Sequence, residues 1–315
     1  MIITDFTHQH LEQAHSLAKK NYIEEMKTCL NLPEDINIPD LTYFVNNKLG
    51  VAAMEEECLL GYLCCYEPWE NAFGTNAKGT FSPLQAHGAV IENRELIYAK
   101  LYQKAAQKWV EKGITYHGIT LYAHDEPAKK ALFTYGFGMR CMDAIKAMDK
   151  VKVNQKANVQ IRRLSHEEII RIRPLREQLS EHLSESPCFM YSTEQEYQNW
   201  IERAEKRNST IYAAFEGDKA IAFIEGKHGG ENFITDISDM LSICGAFCLP
   251  NYRGKGIVQD LLNAMIKESK SEGYKWLGVD YESFNPTAYA FWSKYFEPYT
   301  NSVTRRIDEA ILRKH

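Results

Sequence analysis

The stretch with the strongest chemical signal runs Phe247-Cys-Leu-Pro-Asn-Tyr-Arg-Gly-Lys-Gly-Ile-Val-Gln259. A strand-like apolar run ends at Leu249, Pro250 and Asn251 turn the chain, and Arg253-Gly254-Lys255-Gly256 opens an amphipathic helix. The first turn of a helix carries backbone N–H groups without intrahelical partners and about half a positive charge. Glycine lets that backbone approach an anion with no Cβ in the way. The pattern suits a phosphate or pyrophosphate. A tight strand-to-helix turn that binds nothing is the plain alternative for a bare Gly-x-Gly. A Walker-type loop is excluded because Ile257 stands where Ser or Thr is required, and Gln259 breaks the dinucleotide fingerprint.

The residues need a strand before the loop and a helix after it, and the pattern supplies both. Ile243–Leu249 reads as a short buried strand. Val258, Leu261, Leu262, Met265 and Ile266 trace one face of a helix over 258–272. A strand over 275–281 and a helix over 286–294 follow, and strands over 211–215 and 220–225 precede. The same order recurs upstream. At an offset of 160, Gly113-Ile-Thr-Tyr-His-Gly118 falls on Gly273-Tyr-Lys-Trp-Leu-Gly278, Ala128 on Ala288, Tyr135 on Tyr295 and Asp125 on Asn285. Smaller shifts place Ala52-Ala-Met-Glu55 on Ala213-Ala-Phe-Glu216, Gly88-Ala-Val90 on Gly245-Ala-Phe247, and the helix caps Thr7-His8 on Ser165-His166. The chain reads as a duplicated α+β domain, 1–152 and 158–315, joined across the polar run Lys150–Asn158.

The C-terminal motif resembles the GNAT superfamily of acyl-CoA-dependent N-acyltransferases. The family signature, Q/R-x-x-G-x-G/A at the head of a helix, reads here Arg253-Gly254-Lys255-Gly256-Ile257-Val258. The Asn and the Ala three residues later that follow in the family fit Asn285 and Ala288. The resemblance covers Val159 to about Asp308 and, weakly, the first copy. It implies two tandem GNAT-like domains, each a mixed, largely antiparallel sheet with helices on both faces and a splayed pair of parallel strands. It implies acetyl-CoA as co-substrate and no metal. Pantetheine would meet the main chain of Ala246, Phe247 and Cys248. The pyrophosphate would meet Arg253, Gly254, Lys255, Gly256, Ile257, Val258 and Gln259, and Asn285 would bind the pantetheine arm.

Two positions depart from the family. Val258 replaces the last small residue of the signature, either crowding the pyrophosphate or facing the core as the first residue of the apolar stripe. Trp292 stands where many members carry a tyrosine that protonates the leaving thiolate, and an indole N–H is no usable acid. Tyr281, Tyr289 and Tyr295 lie near, each also readable as a packing residue. Attack on a thioester needs a neutral amine, so a base must take a proton. Asp280, five residues before Asn285, where the resemblance places a catalytic acid in some members, is the first candidate, with a strand carboxylate bonded to its surroundings as the alternative. Glu225 is the second, with an exposed strand-end residue as the alternative. Phe189, Met190, Tyr191, Tyr197 and Trp200 make an aromatic stretch from which Tyr191 is assigned to substrate, as is His228 beside Gly229 and Gly230. Cys248 has no base paired with it in sequence, which favours direct transfer.

The first copy lacks the cradle. Gly88-Ala-Val-Ile-Glu-Asn-Arg-Glu-Leu96 has no following glycine, Glu92 and Glu95 bring negative charge, and Asp125 replaces the Asn. It reads as a degenerate copy.

Composition agrees with this class. The 315 residues include 44% apolar and 25% charged, which excludes a disordered chain, a collagen-like fibre and a coiled coil. The net charge is −5 and neither half is basic, so nucleic acid is not the expected partner. The eight cysteines form no C-x-x-C pair, and most lie in apolar runs as buried free thiols do. No basic, then apolar leader and no apolar run of 18 residues stands out, so a cytoplasmic protein off the membrane is expected. The function expected is N-acetylation of a small, cationic amine. A non-catalytic acyl-CoA-binding or sensing module and a protein or peptide N-acetyltransferase are the alternatives.

Overall fold

A computed structural model describes residues 1–150, 159–193, 195 and 199–314. Two compact units result, Met1–Met142 with Pro298–His315, and Asp143–Glu297. The expected join falls on residues 151–158, outside the described residues. The boundary also differs from the sequence reading at the far end, because residues 298–315 belong to the first unit.

In the first unit, strands β1 (Ile2–Asp5), β2 (Val51–Glu55), β3 (Cys58–Leu63) and β5 (His87–Ala89) form an antiparallel sheet in the order β1-β2-β3-β5. β4 (Gly79–Ser82) lies before β5 in the chain and pairs in parallel with β6 (Tyr116–Tyr122). The run Val51-Ala-Ala is buried throughout because both faces of its sheet are covered. Val51, Ala53 and Leu63 pack with Ile97, Leu101 and Trp109 of the helix Arg94–Glu111. Ala52, Tyr62 and Cys64 pack on the other face with Ala14 and Leu17 of the helix Leu11–Met26. Thr7 caps the short turn that leads into that helix, and the Glu55–Glu57 run makes the β2–β3 turn, with Glu56 at φ 54°.

β7 (Gly138–Ala147) begins in the first unit and ends in the second. Between β6 and the start of β7 lies β14 (Thr300–Arg306), the last strand of the chain. It is antiparallel to both, from Thr300 opposite Tyr122 to Arg306 opposite Tyr116, and with Ser302 opposite Cys141. Val303 is fully buried in the first unit's core, and the Ser302 and Thr120 hydroxyls bond at 2.8 Å.

The second unit carries β8 (Gln160–Arg163), β9 (Thr210–Glu216), β10 (Lys219–His228), β11 (Met240–Cys248) and β12 (Trp276–Glu282) in that spatial order. The short β13 (Glu297–Pro298) precedes β14. β8 to β11 pair antiparallel, and β11 and β12 pair in parallel. Parallel pairing runs only from Met240 opposite Trp276 to Ile243 opposite Val279, although both strands continue. Facing β10, the register of β11 slips between Gly245 opposite Glu225 and Ile243 opposite Gly226, so Cys244 is an extra residue. A bulge bends its strand and raises local twist. The helix Arg173–Ser184 packs on one face and the helix Ile257–Ser271 on the other. The apolar stripe of the latter starts at Ile257, with Leu261, Leu262, Met265 and Ile266 buried behind it, while Val258 is half-buried.

A chain ending at Glu297 loses β14 and leaves two strands of the first unit without their shared neighbour. It is expected to lose the cooperative thermal transition of the first unit, read by calorimetry. Val303→Asp, which buries an unpartnered carboxyl, is expected to cost about 3 kcal/mol or more. An unchanged transition in both variants would show that the strand is dispensable.

Candidate active site

A cavity of about 600 Å³ opens in the second unit where β11 and β12 no longer pair. The eleven residues assigned above to pantetheine and pyrophosphate line it, namely Ala246, Phe247, Cys248, Arg253, Gly254, Lys255, Gly256, Ile257, Val258, Gln259 and Asn285, and so does Trp292, which the sequence also places at the cofactor. Gly254 and Gly256 have φ of +75° and +82°, a left-handed backbone that suits glycine. Nothing lies within 4 Å of a Cβ placed on Gly254, so the loop borders open space. Gly256 is the N-cap of the helix Ile257–Ser271, and no side chain caps that helix. Its first N–H groups therefore remain available to a ligand. Val258 lines the cavity and Ile257 takes the core position expected of it.

Arg253 is folded back: its Nε–H donates to the Cys248 carbonyl at 3.1 Å, and its guanidinium lies over the Phe247 ring. Lys255 lies over Tyr252, whose hydroxyl bonds Glu216. Asn285 caps the helix Pro286–Trp292. Its Oδ1 accepts from the Ala288 N–H at 3.2 Å and from the Thr287 hydroxyl at 2.7 Å. Its Nδ2 is then the group with donors to offer. Trp292 is 6% exposed and forms a wall.

The residues assigned to catalysis and substrate do not line this cavity. Asp280 follows Val279, the last residue of β12 that pairs with β11, and so stands where the strands part. The residue as a whole is exposed, but crowding of its carboxyl by protein, then the carboxylates Glu231 and Asp143, push it up to about 7 against the pull of Lys227. Glu225 shares that face of the sheet through the pairs Glu225–Gly245, Lys227–Ser242 and Ser242–Gly278. It is neither exposed nor at a strand end: it is 3% exposed and ion-paired with Arg176. Arg176 comes from the helix Arg173–Ser184 and lies between the rings of Trp200 and Phe223 at 5.1 and 5.2 Å. Gly245 leaves room for it, since a Cβ there would sit 3.1 Å from Arg176 Nη1. Burial and Glu225 push the neighbouring Cys244 thiol up to about 12, and burial raises Cys248 as well.

Tyr281 points to the face opposite Asp280, buried and edge-on to Tyr289 at 6.3 Å. His228 is exposed at the end of β10, opposite Leu241, where β11 and β12 are still paired. Tyr191 is 81% exposed, and Tyr197 lies outside the described residues. One lining residue escapes the sequence reading. His182 reaches the cavity from the last turn of Arg173–Ser184, and its Nε2 lies 3.2 Å from Thr287 Oγ1. A lone histidine in an amphipathic helix carries no spacing signal.

In the first unit the corresponding gap is bridged. Arg94, 6% exposed, donates to the Ala89 and Val90 carbonyls at 2.8 and 3.2 Å and pairs with Glu24 at 2.6 Å and Asp125 at 3.2 Å. Ala89 and Asp125 correspond to the strand end and the Asn285 position of the second copy. Asp125 caps its helix through Ala128 as Asn285 does through Ala288. His87 spans β5 and β6, donating from Nε2 to the Thr120 carbonyl at 2.6 Å and accepting from the Tyr98 hydroxyl at 2.8 Å. Burial pushes this imidazole down to about 4, so it stays neutral. The closure thus rests on Arg94 and His87; Glu95 turns to Lys130 at 2.9 Å.

Residues 176–296 match the model of the Acetyltransferase (GNAT) family. Among solved structures, the chain is similar to a GCN5-related N-acetyltransferase from Sphaerobacter thermophilus. That match has 10% identity and a TM-score of 0.59, over 97% of this chain and 95% of that one. It is also similar to a GNAT-family acetyltransferase from Colwellia psychrerythraea, at 12% identity and a TM-score of 0.51, over 98% of this chain and 100% of that one. At such identities the likeness is one of fold. A search of curated proteins finds no match. No helix among the described residues is long and apolar enough to cross a membrane, and they hold no cluster of three or more His, Cys, Asp or Glu side chains placed to hold a metal.

The Asp280 carboxyl gives a pH test. From about pH 4, where a free aspartate ionises, up to about 7, the unfolded chain has lost a proton that the folded chain keeps. Stability is therefore expected to fall as pH rises through that window. Asp280→Asn should flatten the fall in urea unfolding. An identical slope in the variant would show that the carboxyl ionises as in the free amino acid.

Proposed function

We propose that this chain, which belongs to the acetyltransferase (GNAT) family through its residues 176–296, moves an acetyl group from acetyl-CoA to a small cationic amine in its second unit. The observation that carries the reading is the cavity that opens where β11 and β12 part, headed by an uncapped, glycine-led helix, with the Asp280 carboxyl, raised above the usual carboxylate range, at the fork. The site fits a coenzyme A. The left-handed glycines, the open space at Gly254 and the uncapped N–H groups make a pyrophosphate cradle. Beyond Ile243 the β12-facing edge of β11 has no strand partner, so Ala246 to Cys248 offer main-chain groups to a pantetheine arm. Asn285 Nδ2 offers a donor to the same arm, and Lys255 adds positive charge.

Asp280 takes the proton from the attacking amine. A carboxyl poised near the working pH balances the ionised fraction against basicity. Asp143, Glu231 and Glu282, whose charges act on Asp280, suit a cationic acceptor. The ion pair with Arg176 makes Glu225 an anchor for that arginine, not a second base. Cys244 and Cys248, both raised, keep their protons, which supports direct attack of the amine on the thioester without an acyl-cysteine. Holding the two reactants in line is worth up to ~7–11 kcal/mol of the barrier. Trp292 favours a second reading, a module that binds acyl-CoA without turnover. Asp280 speaks for an enzyme.

Calorimetric titration with acetyl-CoA is expected to give one site per chain, abolished by Gly256→Glu, which puts a carboxylate into the cradle. Two sites would mean that the first unit also binds. Asp280→Asn is expected to lower kcat by about 10²-fold while leaving acetyl-CoA binding unchanged. Equal losses in both would assign Asp280 a structural part. Binding without acetylation of any amine in a broad panel would favour the second reading.

A further inference from the structure

The geometry points to His182 as the acid that protonates the departing thiolate, a role that rests on the transferase reading above. Departure of a thiolate from the thioester needs a proton donor or leaves a charge in a walled cavity. Trp292 cannot supply that proton. His182 lines the cavity with Trp292, from a different helix, Arg173–Ser184.

A hydrogen-bond chain fixes its tautomer. The Ala288 N–H donates to Asn285 Oδ1, which identifies that atom as the amide oxygen. The Thr287 hydroxyl spends its proton on the same oxygen at 2.7 Å. Thr287 Oγ1 is then an acceptor toward His182, so Nε2 of His182 carries a hydrogen across the 3.2 Å contact. Nδ1 is left as the nitrogen that can deliver a proton into the cavity. The residue that caps the helix on the cofactor side thereby orients the imidazole through Thr287.

The other ionisable groups of the cavity do not serve. From the strand end and loop come Cys248, raised by burial, Tyr252, raised by its bond to Glu216, and Arg253 and Lys255. From beyond the helix Pro286–Trp292 come Lys294 and Tyr295. Arginine, lysine and tyrosine ordinarily hold their protons well above neutral pH, whereas imidazole exchanges its own there. Glu181 and Glu185 flank His182 on its own helix turn and its end.

The step balances. The amine nitrogen forms the new C–N bond and its proton goes to Asp280. The C–S bond breaks, its electron pair stays on sulfur, and the Nδ1 proton of the imidazolium moves to that sulfur. His182 is left neutral with its hydrogen on Nε2. Solvent removes the proton from Asp280 and returns one to His182.

The test measures kcat against pH for the full chain with acetyl-CoA and the best amine of a panel. Wild type is expected to lose activity on the alkaline side as the imidazolium disappears. His182→Gln should lower kcat by about 10²-fold and remove that alkaline fall, with KM for acetyl-CoA and the thermal midpoint held. Added imidazole should restore activity to His182→Ala in its cationic form. Thr287→Val, which keeps the histidine and frees its ring, should give a smaller loss. It also serves as the test if the His182 variants do not fold. An active wild type matched by His182→Gln, or an alkaline fall that persists in it, would overturn the assignment and leave the transferase reading intact. A wild type that binds acetyl-CoA and acetylates no amine would overturn both.

Discussion

Hydrogen bonding between β11 and β12 stops at Ile243 and Val279, and the second unit's chemistry depends on that stop. The cause is local. Cys244 is one residue too many against β10, so β11 bends and twists just where it would otherwise stay beside β12. Arg176, paired with Glu225 and resting on Gly245, occupies the bulged side and holds the bend. The divergence exposes a strand edge, delivers β11 to the glycine loop, and leaves Asp280 at the fork. A buried ion pair of this kind is costly to break from one side, because the remaining charge loses its partner. The fork is thus tied to side chains on three elements.

The two units show one framework with opposite outcomes at the same place. Asn285 and Asp125 do the same capping work, each through the residue three positions on. In the second unit the space between the strand end and that cap is a cavity. In the first, the guanidinium of Arg94 joins the strand-end carbonyls to the cap carboxyl, and His87 ties β5 to β6. The Arg94 and His87 donors placed there already have protein acceptors, so an anion arriving from solvent meets a guanidinium that is spent on carboxylates and carbonyls.

What was legible in the sequence was mostly backbone. The glycine loop and the apolar stripe follow from rules that act over a few residues. Three features were hidden for one physical reason, that they depend on side chains or strands far apart in the chain. Glu225 read as a strand-end carboxylate because nothing local announces Arg176, 49 residues away. The start of the apolar stripe was displaced by one residue, since Ile257 and Val258 are equally apolar and only packing decides which turns inward. A repeat argues for two contiguous domains, and no local pattern says that β14 pairs with β6, 182 residues away at the Ser302–Thr120 contact.

The place of β14 also bears on how such a chain is made. Domains of a nascent protein usually fold in the order in which they leave the ribosome. Here the N-terminal unit cannot close its sheet until residues 300–306 have emerged, after nearly the whole C-terminal unit. Until then β6 and the start of β7 present open edges, which are templates for wrong pairing. Of the two units, the one whose strands come first in this sequence is therefore the last to be finished.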